Sequence, residues 1–162
     1  MKILLVNPRQ STSLFTFSDV EDITGCRAFM PNLALPTLAA LTPSHVNLTL
    51  LDENVEPLDW CLEERWDAVS ITGYITQAPR MIELAAEFRR RGNLIVMGGP
   101  FATLSSSTVR PHADVLFVGE AELTWPAFLV NNLLPVTIGN IIGGTVLVAA
   151  VYWIIFLRPE ES

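Results

Sequence analysis

The sequence predicts an α/β fold: an open, doubly wound sheet of five parallel strands, followed by a single C-terminal helix of transmembrane type. Three observations carry this reading. Five short apolar runs lie within the first 120 residues. Segments with helical periodicity or capping signals lie between them. From Leu123 to Leu157 there is no charged side chain, although the chain as a whole has 10 basic and 17 acidic residues.

The runs are Ile3–Val6, Val46–Leu51, Ala68–Ile71, Leu94–Met97 and Val115–Val118. Each is rich in Val, Ile or Leu and mostly lacks polar alternation, as strands buried on both faces of a parallel sheet do. The strongest helix signal falls between the third and fourth runs, where Met81, Leu84, Ala85 and Phe88 recur at i, i+3, i+4 and i+7. Thr76 is read as its cap and Pro79 as a first-turn residue. Arg89, Arg90 and Arg91 suit the negative end of its dipole, and Gly92 the left-handed stop. Weaker helices are expected over 34–41, 58–64 and 102–109. Strands alternating with helices imply parallel crossovers. Residues 8–33 show no clear period; they carry Gln10, Ser11, Thr12 and Ser13 and the acidic patch Asp19, Glu21 and Asp22. A loop this long inside a domain is usually functional or disordered, and its place after the first strand would put it over the ligand-binding edge.

Composition excludes several functions. Net charge is −7 with a single lysine, Lys2, which disfavours a nucleic-acid surface. Cys26 and Cys61 stand alone, too few for a disulfide framework or a zinc site, and read as reduced thiols. MKILLVNPR has too short an apolar run for a signal peptide, so the first 120 residues are expected to stay in the cytosol.

Open α/β sheets bind ligands outside the carboxyl ends of their strands. Those ends are Asn7-Pro8, Asp52-Glu53, Thr72-Gly73-Tyr74, Gly98-Gly99-Pro100 and Gly119-Glu120. Glycine in three of the five lets backbone approach a ligand closely, although a plain tight turn has the same composition. Neither GxGxxG nor GxxxxGK(S/T) is present, so the fingerprints of dinucleotide and triphosphate sites are missing. His45 and His112 precede strands and belong on the opposite, amino edge. Asp52 and Glu53 are adjacent on a strand and point to opposite faces; a polar contact to a ligand hydroxyl or amide suits them better than paired acid–base work.

The strings MKILLVNPR, LALPTLAAL, VNLTLLDENVE, DAVSITGYITQAPRMIELAAEFRRRG, LIVMGGPFAT and HADVLFVGEAELTWP together resemble the N-terminal cobalamin-binding domain of radical-SAM enzymes, over about residues 1–126. The resemblance implies a flavodoxin-like sheet, with the cobalamin tail slotted beside Thr72, Gly73, Tyr74, Gly98 and Gly99 and the 8–33 loop reaching over the corrin. Many such domains carry DxHxxG after the first strand, whose histidine ligates cobalt. Here that position reads NPRQSTS, which implies cobalamin without a protein histidine ligand. The CxxxCxxC that holds a radical-SAM cluster is also missing. No catalytic residue is assigned, and no catalytic activity of the chain's own is expected.

Val136 to Leu157 is 22 residues, enough to cross a hydrocarbon core of about 30 Å. Pro135 suits a first helical turn. Tyr152, Trp153 and Arg158 read as an interfacial anchor. Gly139 and Gly143 form GxxxG, with Gly144 adjacent, and invite close packing of a second copy; Asn140 at membrane depth needs a partner. NNLLPVTIGNIIGGTVLVAAVYWIIFLR resembles the final membrane helix of formate/nitrite transporters, over about residues 128–158. It is one helix of a six-helix subunit, so transport is not carried over. That family's last helix ends in the cytoplasm, which conflicts with a cytosolic domain before it. The junction near Ala127–Val130 lacks a linker composition, and a fusion of two unrelated segments is implied.

The expected organisation is a cobalamin-binding-like α/β domain, 1–126, and a membrane-anchoring helix with a short tail, 127–162. The expected partners are a corrinoid, the membrane and a second copy of the chain through the GxxxG face. The alternative is a membrane protein fragment of the formate/nitrite transporter type with an inert α/β domain. A nucleotide enzyme ranks last, lacking a phosphate loop and a nucleophile–base pair.

Overall fold

Unbroken runs of Val, Ile and Leu offer no solvated face, and three of the five runs become the centre of the sheet. The structure is a computed structural model that describes residues 1–11, 25 and 32–153. Its strands are β1 (Lys2–Asn7), β2 (Asn47–Asp52), β3 (Ala68–Thr72), β4 (Leu94–Gly98) and β5 (Val115–Leu116). They lie in the order β2-β1-β3-β4-β5. Every pairing is parallel: Leu5 sits opposite both Leu50 and Ser70, and Ser70 opposite Val96. This is the flavodoxin-like doubly wound order, with its switch point between β1 and β3.

β3 is buried throughout, whereas β2 has only exposed and half-buried residues before Leu51. The second run therefore makes a solvated edge rather than a fully buried strand. The fifth run pairs only at Val115 and Leu116, less than its apolar length suggests.

Side-chain alternation splits the central strands between two faces. Leu4, Val6, Val69, Ile71, Ile95 and Met97 enter one core with Cys61, Met81, Leu84, Ala85 and Phe88. The last four of these come from α3 (Ala78–Arg90), so its predicted stripe is its buried face. The start of α3 differs from expectation. Thr76 is not the cap; it lies in a tight 3₁₀ turn, Ile75–Gln77, and the Gln77 side chain instead accepts the Tyr74 N–H at 2.8 Å. Arg89 and Arg90 do fill the last turn, and Gly92 takes φ +81°. The remaining helices of this part are short: α1 (Ala34–Ala40), α2 (Asp59–Glu63), α4 (Gly99–Leu104) and α5 (Ser106–Val109). Leu35 and Leu38 are the buried residues of α1, which packs against β1 and β2.

The chain divides into two compact units, Met1–Pro126 and Ala127–Ser162. A continuous helical run, α6 (Trp125–Tyr152, 28 residues), is long and apolar enough to cross a membrane. Pro135 does not open it. The run starts ten residues earlier with Pro126 in its first turn, and Pro135 follows a wide, π-type stretch at Leu129–Leu133. Proline cannot donate to a carbonyl one turn back, and a widened turn just before it accommodates the missing bond. Gly139, Asn140 and Gly144 are exposed, and an added Cβ at Gly139, Gly143 or Gly144 meets nothing within 4 Å. Cys26, residues 12–24 and 26–31 of the long loop, and Ile154 to Arg158 lie outside the described residues.

Cys61 is fully buried in the core, and its carbonyl accepts the Trp66 indole N–H at 2.9 Å. Burial pushes its thiol up to about 12, with the Glu56 charge adding to the rise and Lys2 opposing it. The folded state thus favours the neutral thiol. Its contribution to stability is complete below the unfolded pKa of about 8.5 and is lost as pH climbs toward the folded value. Between about pH 9 and pH 11 the wild type should lose up to about 1.4 kcal/mol per pH unit more than Cys61→Ala. Urea midpoints of both proteins against pH measure this; parallel curves refute it.

Candidate functional site

The second face of the sheet carries polar side chains where it meets the carboxyl edge. Asn7, Ser70, Thr72 and Gly98 follow in alternation from Leu5, Ala68 and Val96 on that face. They floor a hollow of about 610 Å³, within the range that buries a small-molecule ligand. Leu38 and Thr37 of α1 line one side, and Phe117, the 119–122 lip and Trp125 line another. Phe117 and Trp125 meet with ring centroids 6.0 Å apart, and the Trp125 indole donates to Thr42 Oγ1 at 2.9 Å.

The floor is held by a buried amide network. Asn7 Oδ1 accepts from Gln77 Nε2 at 2.9 Å and from Asn32 Nδ2 at 3.0 Å. Gln77 Nε2 also donates to the Pro8 carbonyl. Gln77 is 1% exposed and Asn7 5%. Both bonds fall on the Asn7 oxygen, so its amide N–H2 is the free end of a residue that lines the hollow. Ser70, 7% exposed, also presents its hydroxyl there with no protein partner among the described residues.

The glycines of the edge have separate jobs. At Gly99, φ is +88° and an added Cβ would stand 2.3 Å from Thr72 Oγ1. At Gly73 an added Cβ would meet Gln77 and Met81, both at 2.9 Å. Gly99 serves the close approach of the β3 and β4 exits, which the Phe101 N–H bond to the Gly73 carbonyl, 3.1 Å, closes, and Gly73 leaves room for the start of α3. Gly119 has φ +87° and nothing within 4 Å of an added Cβ. Its N–H donates to Thr103 Oγ1 at 3.0 Å, and that hydroxyl donates to the Gly99 carbonyl at 3.0 Å, tying the lip to α4.

Nine of the ten rim positions read from sequence line the hollow: Asn7, Thr72, Gly73, Tyr74, Gly98, Gly99, Pro100, Gly119 and Glu120. Pro8 does not; its carbonyl is taken by Gln77 and by Asn54 Nδ2 at 3.3 Å. Asp52 and Glu53 lie outside the lining too, against the expected ligand contact. Asp52 accepts the Asn54 N–H and side chain, at 2.9 and 2.7 Å. Glu53 pairs with Arg80 at 2.6 Å and accepts the Arg9 N–H at 3.0 Å. Charged groups this well matched serve the fold. The pair, with Glu83 beside it, holds the Arg80 guanidinium above its ordinary pKa. His45 is exposed before β2 and His112 sits in the turn before β5; neither is among the described lining residues.

Sequence reasoning missed Ser70, Gln77 and Trp125. The serine inside an apolar strand was the available signal for the first. For the other two nothing local marked them, because their roles depend on contacts 70 and 83 positions away. Among the described residues, no group of three or more His, Cys, Asp and Glu is placed to hold a metal ion. The lining offers hydroxyl and amide groups, an aromatic wall and two carboxylates, Glu120 and Glu122. Such a set binds and orients.

The formate/nitrite transporter family matches residues 94–154. That range begins in β4, well before residue 128, where the sequence resemblance starts. An uncharacterized methyltransferase of Synechocystis is 32% identical over 133 residues, 80% of this chain and 24% of its own length. Bacteriochlorophyllide d C-8(2)-methyltransferase of Chlorobaculum tepidum is 34% identical over 99 residues, 60% of this chain and 22% of its own. The formate channel FocA of Escherichia coli is 54% identical over 41 residues, 25% of this chain and 14% of its own. This chain joins a methyltransferase-like part to a formate-transporter-like part. It spans about a quarter or less of the length of the curated relatives it matches. No solved structure matches it.

Gly99→Ala should destabilise the α/β unit by about 2–4 kcal/mol, from left-handed strain and the clash with Thr72 together. Urea denaturation followed by tryptophan emission measures it; a loss below about 1 kcal/mol would mean the two exits are free to separate.

Proposed function

We propose that the α/β unit is a corrinoid-handling module, related to the cobalamin-binding part of radical-SAM enzymes and anchored in the membrane by α6. The observation that carries this is the hollow itself: a glycine-bearing carboxyl edge over a floor whose Asn7 amide N–H2 and Ser70 hydroxyl have no protein partner among the described residues. The methyltransferase relatives support the class of cofactor. A bound corrinoid supplies the cobalt centre. The chain's own residues would grip the tail: Asn7 and Ser70 donate hydrogen bonds, Phe117 and Trp125 form the aromatic wall, and the backbone at Gly98 and Gly119 leaves room for close approach. No histidine of this chain is assigned to cobalt. In this reading the α/β unit lies on the cytoplasmic side, and the face of Gly139, Asn140, Gly143 and Gly144 receives a second α6.

Purified full-length chain in detergent, incubated with hydroxocobalamin and desalted, should retain the corrinoid absorbance. Ser70→Leu, which fills the floor, should weaken retention at least about tenfold, the scale of losing a buried hydrogen bond and its cavity. A colourless wild-type fraction ends the corrinoid reading.

Gly139→Ile with Gly143→Ile should convert any detergent-stable oligomer to monomer and leave corrinoid retention unchanged. Light scattering decides this; an unaltered oligomer removes the helix face from the interface.

A further inference from the structure

Sheets of this strand order commonly hold a phosphate at the carboxyl edge, where helix starts and turns offer unpaired amides. Here an amide at each of four strand exits is spent inside the protein. After β1 the Gln10 N–H donates to Asn54 Oδ1 at 2.9 Å. After β3 the Tyr74 N–H donates to Gln77 Oε1 at 2.8 Å. After β4 Pro100 has no N–H to give, and that of Phe101 goes to the Gly73 carbonyl at 3.1 Å. After β5 the Gly119 N–H goes to Thr103 Oγ1 at 3.0 Å.

Charge points the same way. The described lining has no Lys, Arg or His, and its two carboxylates, Glu120 and Glu122, stand exposed on the lip. The donors left over are buried on the floor. Ser70 and Thr72 are each 7% exposed, and their hydroxyls, like the Asn7 N–H2, have no protein partner among the described residues. These groups can pair with the neutral acceptors of a ligand, and Phe117, Trp125 and Leu38 offer a planar ring apolar contact. A phosphate carried past the lip would shed water, pass two carboxylates and meet no cation among the described lining residues.

We propose that the hollow selects its ligand by charge: it takes an uncharged or cationic heteroaromatic group and turns away one that carries a phosphate, with Glu120 and Glu122 setting the preference. This rests on the hollow being the binding site of the corrinoid reading. Within that reading, the nucleotide tail binds better without its phosphate than with it.

The test is equilibrium dialysis of the full chain in nonionic detergent against benzimidazole riboside and against its monophosphate, with protein-free micelles as the background. At about 20 mM salt the wild type should bind the riboside at least about threefold more tightly than the monophosphate, and about 0.5 M salt should narrow the gap. Glu120→Gln with Glu122→Gln, both at exposed positions, should narrow it at low salt too. Leu104→Arg, at a lining position that is 85% exposed, puts a cation at the mouth and should reverse the preference. A wild type that binds the monophosphate as tightly as the riboside overturns the inference. So does a preference that neither salt nor the double variant changes, a Leu104→Arg chain that still rejects the monophosphate, or a wild type that binds neither compound. Hydroxocobalamin retention by the same preparation reads the corrinoid proposal separately. Retention without charge selectivity overturns only the present inference, and charge selectivity without retention overturns only the corrinoid.

Discussion

The approach of two strand exits at the carboxyl edge governs this molecule. The β4 exit lies so near the β3 exit that Gly99 has no room for a Cβ against Thr72. The Phe101 N–H then reaches across to the Gly73 carbonyl. α4 follows β4 at once and sends Phe101 and Ala102 into the core, while its Gly99, Pro100, Thr103 and Leu104 line the hollow beside Ser70, Thr72 and Gly98. A side chain at position 99 would push the exits apart, and the floor and the Thr103-tethered lip would both lose their reference.

The amide network under Asn7 makes the same edge rigid. Gln77 is almost fully buried, and its side chain joins the start of α3 to the end of β1. A buried amide is costly unless its atoms are paired. Once paired, it fixes the distance between the elements it bridges. Outside it, the Glu53–Arg80 pair and the Arg9 N–H bond fasten the β1 exit to β2 and α3. One layer of polar bonds shapes the hollow, and a second holds the chain that leaves it.

The two parts of the chain answer to different solvents. In the α/β unit apolar residues face inward and the charges lie outside. In α6 the most apolar window has none of its residues buried within the structure. In water that face would be a liability, and in a bilayer it is the favourable state. The similarity to methyltransferases and to formate transporters does not break at the same place, since the transporter family match already begins in β4. Trp125 belongs to both, as hollow wall and as helix start.

Much of this was legible in the residues alone. Strands buried on both faces must be continuous apolar runs, so β1, β3 and β4 announced themselves. The stripe on α3 announced its buried face, because 3.6 residues per turn leaves few other ways to pattern a half-buried helix. The charge-free tract marked α6 by length. The rim glycines were visible because parallel strands place their carboxyl ends together. Tertiary structure decided the rest. Whether Glu53 meets a ligand or holds the fold depended on Arg80, 27 positions beyond it. Whether a glycine serves a ligand or a neighbouring backbone depended on what a Cβ would strike. Gln77 and Trp125 gained their roles from partners far along the chain, and local pattern carries no information about such partners because it records only the period of a segment and never what that segment meets.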